Sequence, residues 1–477
     1  CFPSPQVDFG YDVSDYESID PAYGTLADFD RLVAEARKRN IRIVLDFVLN
    51  HTSDRHAWFQ DSRSSRTSAK RDWYIWRDGA APGQPPNNWG SVFGGSAWQL
   101  DPATGQYYLH QFYPEQPDLN WRYPEVEDAM MEVARFWFKR GVAGFRLDAV
   151  DRIYEDPDLR DNPVKVDPDG SETLVETYTT NLPELHNVLR HLRTVADEYG
   201  AVLVGETWTS SVEELQRYYN SLQMPMNFVF TMVNRPSAPE FRKQIHDAER
   251  GLGWPVYLFS NHDITRHYDR YGDRAYNDQI AKALAALYLT LRGTPILYYG
   301  EEIGMTNNDP ARVQDVKDPI GRRFWPHNKG RDGERTPMQW TAGPNGGFSQ
   351  TAPWLPVPDS ARTHNVAAEE KDERSILRFY RRLLELRHTN EQLREGNYVA
   401  LNENDANVLA YLRTYKGKAV LVAINMSAVP RKIALDLRQH SFGTKAKTLL
   451  ATEAQPDSVH LSEISLAPFG VYIGEVK

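Results

Sequence analysis

The chain has 477 residues, 41% hydrophobic and 25% charged, the balance of a globular protein long enough for one large domain and a smaller one. A formal net charge of −10 argues against nucleic acid or an acidic membrane as partner, since either would be met by basic patches. A single cysteine, Cys1, excludes an internal disulfide framework and fits a reducing, cytoplasmic setting, and no apolar run reaches membrane-spanning length.

Residues 1–5 lead directly into Asp8-Phe9-Gly10-Tyr11-Asp12, an aromatic and acidic loop, and are expected to be the end of a strand whose earlier part is missing. Leu26, Phe29, Leu32, Val33 and Ala36 recur at helical spacing over 26–40. Residues 41–48 form a β-branched run, a strand buried on both faces, which ends in Asp46-Phe47-Val48-Leu49-Asn50-His51. The next stretch, 52–124, is too long for a plain loop. It holds Trp58, Trp73, Trp76, Trp89, Trp98 and Trp121, six of the chain's 12 tryptophans, and is expected to be a folded insertion with most rings in its own core.

Val126, Ala129, Val133, Phe136 and Trp137 mark a second helix, and Gly141 breaks it. The strand over 142–147 follows, and period-2 alternation places Arg146 and Asp148 on one face. Leu182, Leu185, Val188, Leu189, Leu192 and Val195 give a third helix, and 201–204 a strand running into Gly205-Glu206-Thr207-Trp208. A strand over 255–260 delivers Asn261-His262-Asp263. Ile280, Leu284, Leu287 and Leu291 then mark a helix, 295–299 a strand, and Ile376, Phe379, Leu383 and Leu386 a last helix.

This alternation predicts an α/β fold with a parallel sheet. Polar groups close four strands at their C-terminal ends, as in a (β/α)8 TIM barrel, and neither G-x-G-x-x-G nor a Walker motif is present to favour an open sheet. Helical periodicity stops near 395, and 398–401, 408–412, 419–424, 432–437 and 470–476 read as strands of an all-β domain. The expected domains are a barrel over 1–51 and 125–395, lacking its first βα unit, an insertion over 52–124 after barrel strand 3, and an all-β domain over 396–477.

Three acids at three strand ends, each near Arg, His or Trp, suit glycoside chemistry, which needs one ionised and one protonated carboxyl group. Arg146 is placed to keep Asp148 ionised. Glu206, beside Trp208, is expected in apolar surroundings that raise its pKa and suit a general acid. Single histidines without H-E-x-x-H spacing give no reason to expect a catalytic metal.

In these motifs the chain resembles the α-amylase superfamily, glycoside hydrolase family 13. Asp46 to His51, Gly144 to Asp148, Gly205 to Trp208 and Asn261 to Asp263 resemble four of its conserved regions in order. Gln116-Pro117-Asp118-Leu119-Asn120, Gly10-Tyr11-Asp12 and Arg335-Thr336-Pro337-Met338-Gln339-Trp340 resemble motifs of the oligo-1,6-glucosidase and α-glucosidase branch. The resemblance implies that Asp148 is the nucleophile, Glu206 the general acid/base and Asp263 the transition-state stabiliser. Arg146 would orient Asp148, His51 and His262 would bind sugar hydroxyls, and Asp12 and Arg335 would clamp the non-reducing end, with Arg331 as the alternative clamp. It also implies no cofactor for catalysis. A structural Ca²⁺ would belong to the loop after the first strand, within about 50 residues that are expected but missing.

The expected activity is that of a retaining, exo-acting α-glucosidase on short α-glucosides such as maltose or sucrose, working as a monomer or homodimer with a small oligosaccharide as its only partner. A transglycosylase or isomerase acting on sucrose or trehalose would share these residues. A non-catalytic transporter subunit would need neither the acids nor their order. In the branch it resembles, valine after the nucleophile goes with α-1,6 preference, so the resemblance implies that Ala149 favours α-1,4 or α-1,2 linkages.

Overall fold

In a computed structural model describing residues 1–167, 170–209, 211–251 and 253–476, contacts divide the chain into two units, Cys1–Met226 and Asn227–Lys477. In the first, Thr25 and Asp28 form a capping box that starts helix α1, Leu26–Lys38. Strand β1, Val44–Val48, follows. Helix α2, Pro124–Lys139, begins with proline at its first position and with Glu125 and Glu127 in its first turn, the arrangement its exposed N–H groups and dipole favour. Strand β2, Gly144–Asp148, helix α3, Leu185–Glu198, and strands β3, Val202–Gly205, and β4, Met224–Pro225, complete the frame.

The four strands form one parallel sheet in the order β1-β2-β3-β4. Its register positions the chemistry. Asp46 lies beside Arg146, Val48 beside Asp148 and Gly205 beside Leu147. Phe145 and Leu147, of opposite parity to Arg146, are fully buried, so the charged residues share the other face. Close strand approach requires glycine at 144, where a Cβ would lie 2.3 Å from the Val202 carbonyl oxygen. The strands are shorter than the apolar runs that announced them, because 41–43 and 142–143 lie outside the ladder.

The aromatic insertion holds a three-stranded antiparallel sheet of Trp76–Arg77, Gln106–Leu109 and Trp98–Asp101, in that order. Trp89 and Trp98 stack with ring centroids 5.9 Å apart, among buried Ile75, Ala97, Tyr107 and Leu109. Trp73, Trp76 and Trp121 are buried as well, and Trp58 half-buried. These rings are core.

His56 caps the short helix Ala57–Ser64, its Nδ1 accepting the Trp58 N–H at 3.1 Å. Burial pushes its pKa down to about 4 from an ordinary 6.5. Between those values the unfolded chain takes up a proton that the folded chain refuses, so stability falls as pH falls. At pH 5 this residue should cost about 2 kcal/mol relative to pH 7. His56→Asn keeps a capping acceptor without the titration. Urea unfolding should show its stability dropping by about that much less than wild type over this interval, and an equal drop would refute the assignment.

In the second unit, helix α4, Ala238–Arg250, was not expected, since only Ala238, Phe241, Ile245 and Ala248 are buried in a charged segment. Strands β5, Val256–Tyr257, and β6, Thr294–Pro295, pair in parallel on either side of helix α5, Asn277–Thr290. Helix α5 is apolar nearly all round because it shares one core with helix α6, Ile376–Thr389, and with the sheet that follows. That sheet comprises β7, Asn397–Ala400, β8, Val408–Tyr415, β9, Lys418–Asn425, β10, Lys445–Ala451, β11, Ser458–His460, and β12, Val471–Val476, in the order β7-β8-β9-β12-β10-β11. Its other face packs on Ile433, Leu437, Leu461 and Ile464. Strands β10 and β11 escaped the sequence reading, because the alternation of Lys445 to Thr448 carries little apolar signal. Among the described residues, no helix is long and apolar enough to cross a membrane.

Candidate active site

At the C-terminal ends of β1 to β3, one guanidinium gathers three carboxylates. Arg146 Nη1 donates to Asp148 Oδ1 at 2.5 Å and to Asp46 Oδ1 at 2.8 Å, while Nη2 donates to Glu206 Oε2 at 2.6 Å. Tyr11 donates its hydroxyl to Asp46 Oδ2 at 2.6 Å, so the opening loop touches the same cluster. Asp46 is one of the polar groups expected at the strand ends, though without a role of its own, whereas Tyr11 was not among the expected site residues.

Arg146 was expected to orient Asp148 and keep it ionised; it does bind Asp148, but it also binds Asp46 and Glu206, and burial opposes the ionisation. Burial pushes Asp148 well above the usual carboxylate range; Arg146 opposes this, and Glu206 and Asp46 add to it. One guanidinium is therefore shared among three carboxyl groups, and burial outweighs it at Asp148. Glu206 does not sit in apolar surroundings. Its Oε2 accepts from Arg146 and from the Ala149 N–H at 3.1 Å, and its Oε1 accepts from Trp208 Nε1 at 3.2 Å. The Ala149 amide can aim there because its backbone is left-handed, φ 43°, sparsely populated for a residue with a Cβ.

His51 is 1% exposed, and burial pushes its pKa down to about 3, so it is neutral at working pH. Its Nε2 lies 3.2 Å from the Tyr11 carbonyl and 3.0 Å from Gln116 Nε2, and its Nδ1 lies 3.2 Å from Asn50 Nδ2. Asn50 donates to Asp118 Oδ1 at 3.0 Å, so the Gln116–Asp118 motif backs the end of β1. Burial raises Asp118 to about 7. Asp12 has a different place from the one expected. It is fully buried, and its carboxylate accepts from Ser4 Oγ, the Val7 N–H and the Asp8 N–H, which makes it the internal anchor of its loop. Asp8 is the acid of that loop that faces His51's neighbour, accepting from Gln116 Nε2 at 3.2 Å.

In the second unit, Asp263 Oδ1 accepts from Arg335 Nη2 at 2.7 Å and from Arg331 Nη1 at 3.1 Å, and His262 Nε2 lies 3.3 Å from its Oδ2. Arg335 Nε also donates to the His262 carbonyl at 2.7 Å, holding the turn. Arg331 is fixed by Asp318, which accepts from its Nε at 2.8 Å and Nη2 at 3.2 Å. Burial raises Asp318, but Arg331 outweighs it and leaves the carboxyl below its ordinary value. Asp318 has no sequence signal of its own. Among the described residues, no group of three His, Cys, Asp or Glu side chains is placed to hold a metal ion.

A family profile described as the catalytic domain of α-amylase matches residues 1–396, and one described as the C-terminal domain of maltogenic amylase matches 398–473. A probable α-glucosidase of Rhizobium meliloti (strain 1021) is 42% identical over 466 residues, spanning 92% of this chain and 84% of that protein. A trehalose-6-phosphate hydrolase of Escherichia coli (strain K12) is 40% identical over 461 residues, spanning 89% and 82%. The crystal structure of an α-glucosyl transfer enzyme, XgtA, superposes with a TM-score of 0.91 at 38% identity, covering 100% of this chain and 90% of the other.

Proposed function

The chain belongs to the α-amylase superfamily of glycoside hydrolases, with relatives among its α-glucosidases and oligo-1,6-glucosidases, and on that premise we propose that it is a retaining, exo-acting α-glucosidase releasing glucose from short α-glucosides. Its architecture is then a (β/α)8 barrel over 1–51 and 125–395 with the insertion 52–124 and the all-β domain 396–477. No cofactor takes part, and the setting is cytoplasmic.

The observation that carries the reading is Arg146 spanning Asp148 and Glu206. Retention needs two carboxyl groups about 5–5.5 Å apart, one to attack and one to move a proton. Three acids around one cation place a nucleophile and a proton donor side by side. Asp148 attacks the anomeric carbon and forms a glycosyl ester as Glu206 protonates the departing oxygen. Glu206 then takes a proton from water, which cleaves the ester. Asp263 stabilises the positive charge that develops on the sugar ring, with Arg335 and Arg331 orienting its carboxylate. Arg146 orients the two acids, and His51 and His262 bind sugar hydroxyls.

Incubating the protein with an aryl α-glucoside, whose only sugar product is the glucose that is cleaved, and following anomers by NMR tests this: α-glucose should appear first, and initial β-glucose would refute retention. The same spectra address a second reading, favoured by the similarity to a glucosyl transfer enzyme. Longer glucosides in place of free glucose would establish transfer.

Ala149 supports a linkage preference. A small side chain after the nucleophile leaves room beside the scissile bond, whereas a stiff β-branched one narrows it. Maltose should be preferred over isomaltose by a margin of about 1–3 kcal/mol, and Ala149→Val should shrink it. Comparing kcat/KM for both sugars in both proteins checks this, with melting temperature followed because a β-branched residue strains at φ 43°. An isomaltose preference in the wild type would overturn it.

A further inference from the structure

A closed ring of hydrogen bonds links the segments carrying the two principal acids, and its least conspicuous member is Asn181. After Asp148 the chain turns through Val150–Arg152, and the Asp151 carbonyl accepts the Asn181 N–H at 2.7 Å. Asn181 Nδ2 donates to the Trp208 carbonyl at 3.1 Å, and Trp208 Nε1 donates to Glu206 Oε1. Glu206 Oε2 closes the ring by accepting the Ala149 N–H. Asn181 is itself held, its Oδ1 accepting the hydroxyl of buried Tyr218 at 2.5 Å. Its backbone is left-handed, φ 54°, a conformation asparagine adopts more readily than most residues. The turn lets its main chain face one acid's segment while its side chain faces the other's.

We propose that Asn181 is a positioning residue for the acid/base, holding the segment after Glu206 against the turn after Asp148 so that the Trp208 indole stays on the Glu206 carboxyl group. This rests on the assignment of Glu206 as acid/base. Asn181 touches no substrate; it acts through Trp208. A carboxyl group free to rotate presents its proton to the leaving oxygen less often, and hydrogen bonds fixing such a group are worth one to two powers of ten in rate. The loss falls on steps that need the proton.

Asn181→Gly removes both side-chain bonds while tolerating the left-handed backbone. Its kcat/KM for maltose should fall about 30-fold, and that for an aryl α-glucoside with a good leaving group no more than about threefold, with the basic limb of the maltose pH profile displaced. Tyr218→Phe should show the same pattern more weakly and serves if the glycine variant does not fold. In a Glu206→Gln background, Asn181→Gly should have no further leaving-group-selective effect. Equal losses on both substrates, or none on either, would overturn the proposal. If Glu206→Gln alone reduces both substrates equally, the acid/base assignment fails instead.

Discussion

Asp148→Asn should abolish turnover of every α-glucoside, with kcat falling roughly 10⁴-fold or more, whereas Glu206→Gln should spare substrates whose leaving group needs no proton. A missing nucleophile cannot be bypassed: the amide can still accept from Arg146 Nη1, where the carboxylate accepts at 2.5 Å, but its oxygen is too weak to attack. A missing acid costs in proportion to the basicity of the leaving oxygen. Kinetics of both variants on maltose and on an aryl α-glucoside should separate the two roles. The Asp148 variant should keep its fold and melting temperature within a few degrees, since the amide replaces only one of the three carboxylates on Arg146. Turnover of the aryl glucoside by Asp148→Asn at near wild-type rate would sink the assignment.

Removal of Arg146 should have the next largest effect, on rate and on stability together. Asp46, Asp148 and Glu206 all accept from this guanidinium, which is 14% exposed. Arg146→Gln leaves three carboxyl groups facing one another without a cation. Breaking a buried pair in this way costs about 3–5 kcal/mol when the acids stay charged. Asp148, already pushed up by burial and then without Arg146 to oppose it, escapes part of that cost by holding a proton. Acids whose folded pKa lies above the unfolded value stabilise the fold at low pH and lose that contribution as pH rises. The variant's melting temperature should therefore fall more steeply than the wild type's between pH 5 and pH 8. Activity should drop about a thousandfold, ~4 kcal/mol of transition-state stabilisation. Arg146→Lys should recover much of the stability and little of the rate, because a point charge cannot span two acids as the planar fork does. Parallel pH dependences of wild type and Arg146→Gln would show that Arg146 does not compensate these acids.

What the sequence determined by itself was local and periodic. Alternation placed Arg146 and Asp148 on one strand face and Phe145 and Leu147 on the other, and the structure buries Phe145 and Leu147 as that requires. Helical spacing marked α1, α2, α3, α5 and α6, because each presents a continuous apolar stripe. Helix α4 and strands β10 and β11 were missed because few of their positions are buried and apolar. The ordered motifs carried the family.

Only the tertiary structure decided how the charges are shared. The register of β1 on β2 sets Asp46 beside Arg146, and the β2–β3 register brings Glu206 onto the same guanidinium. One cation therefore serves three acids where the sequence suggested one. Turn geometry decided the rest. The opening loop spends Asp12 on its own backbone and turns Asp8 toward Gln116, while left-handed residues at 149 and 181 aim an amide and a carboxamide across the site. The physical reason is one of range. Side-chain periodicity follows from a few neighbouring dihedrals and can be read from residue types, whereas register and turn handedness depend on contacts between segments far apart in the chain.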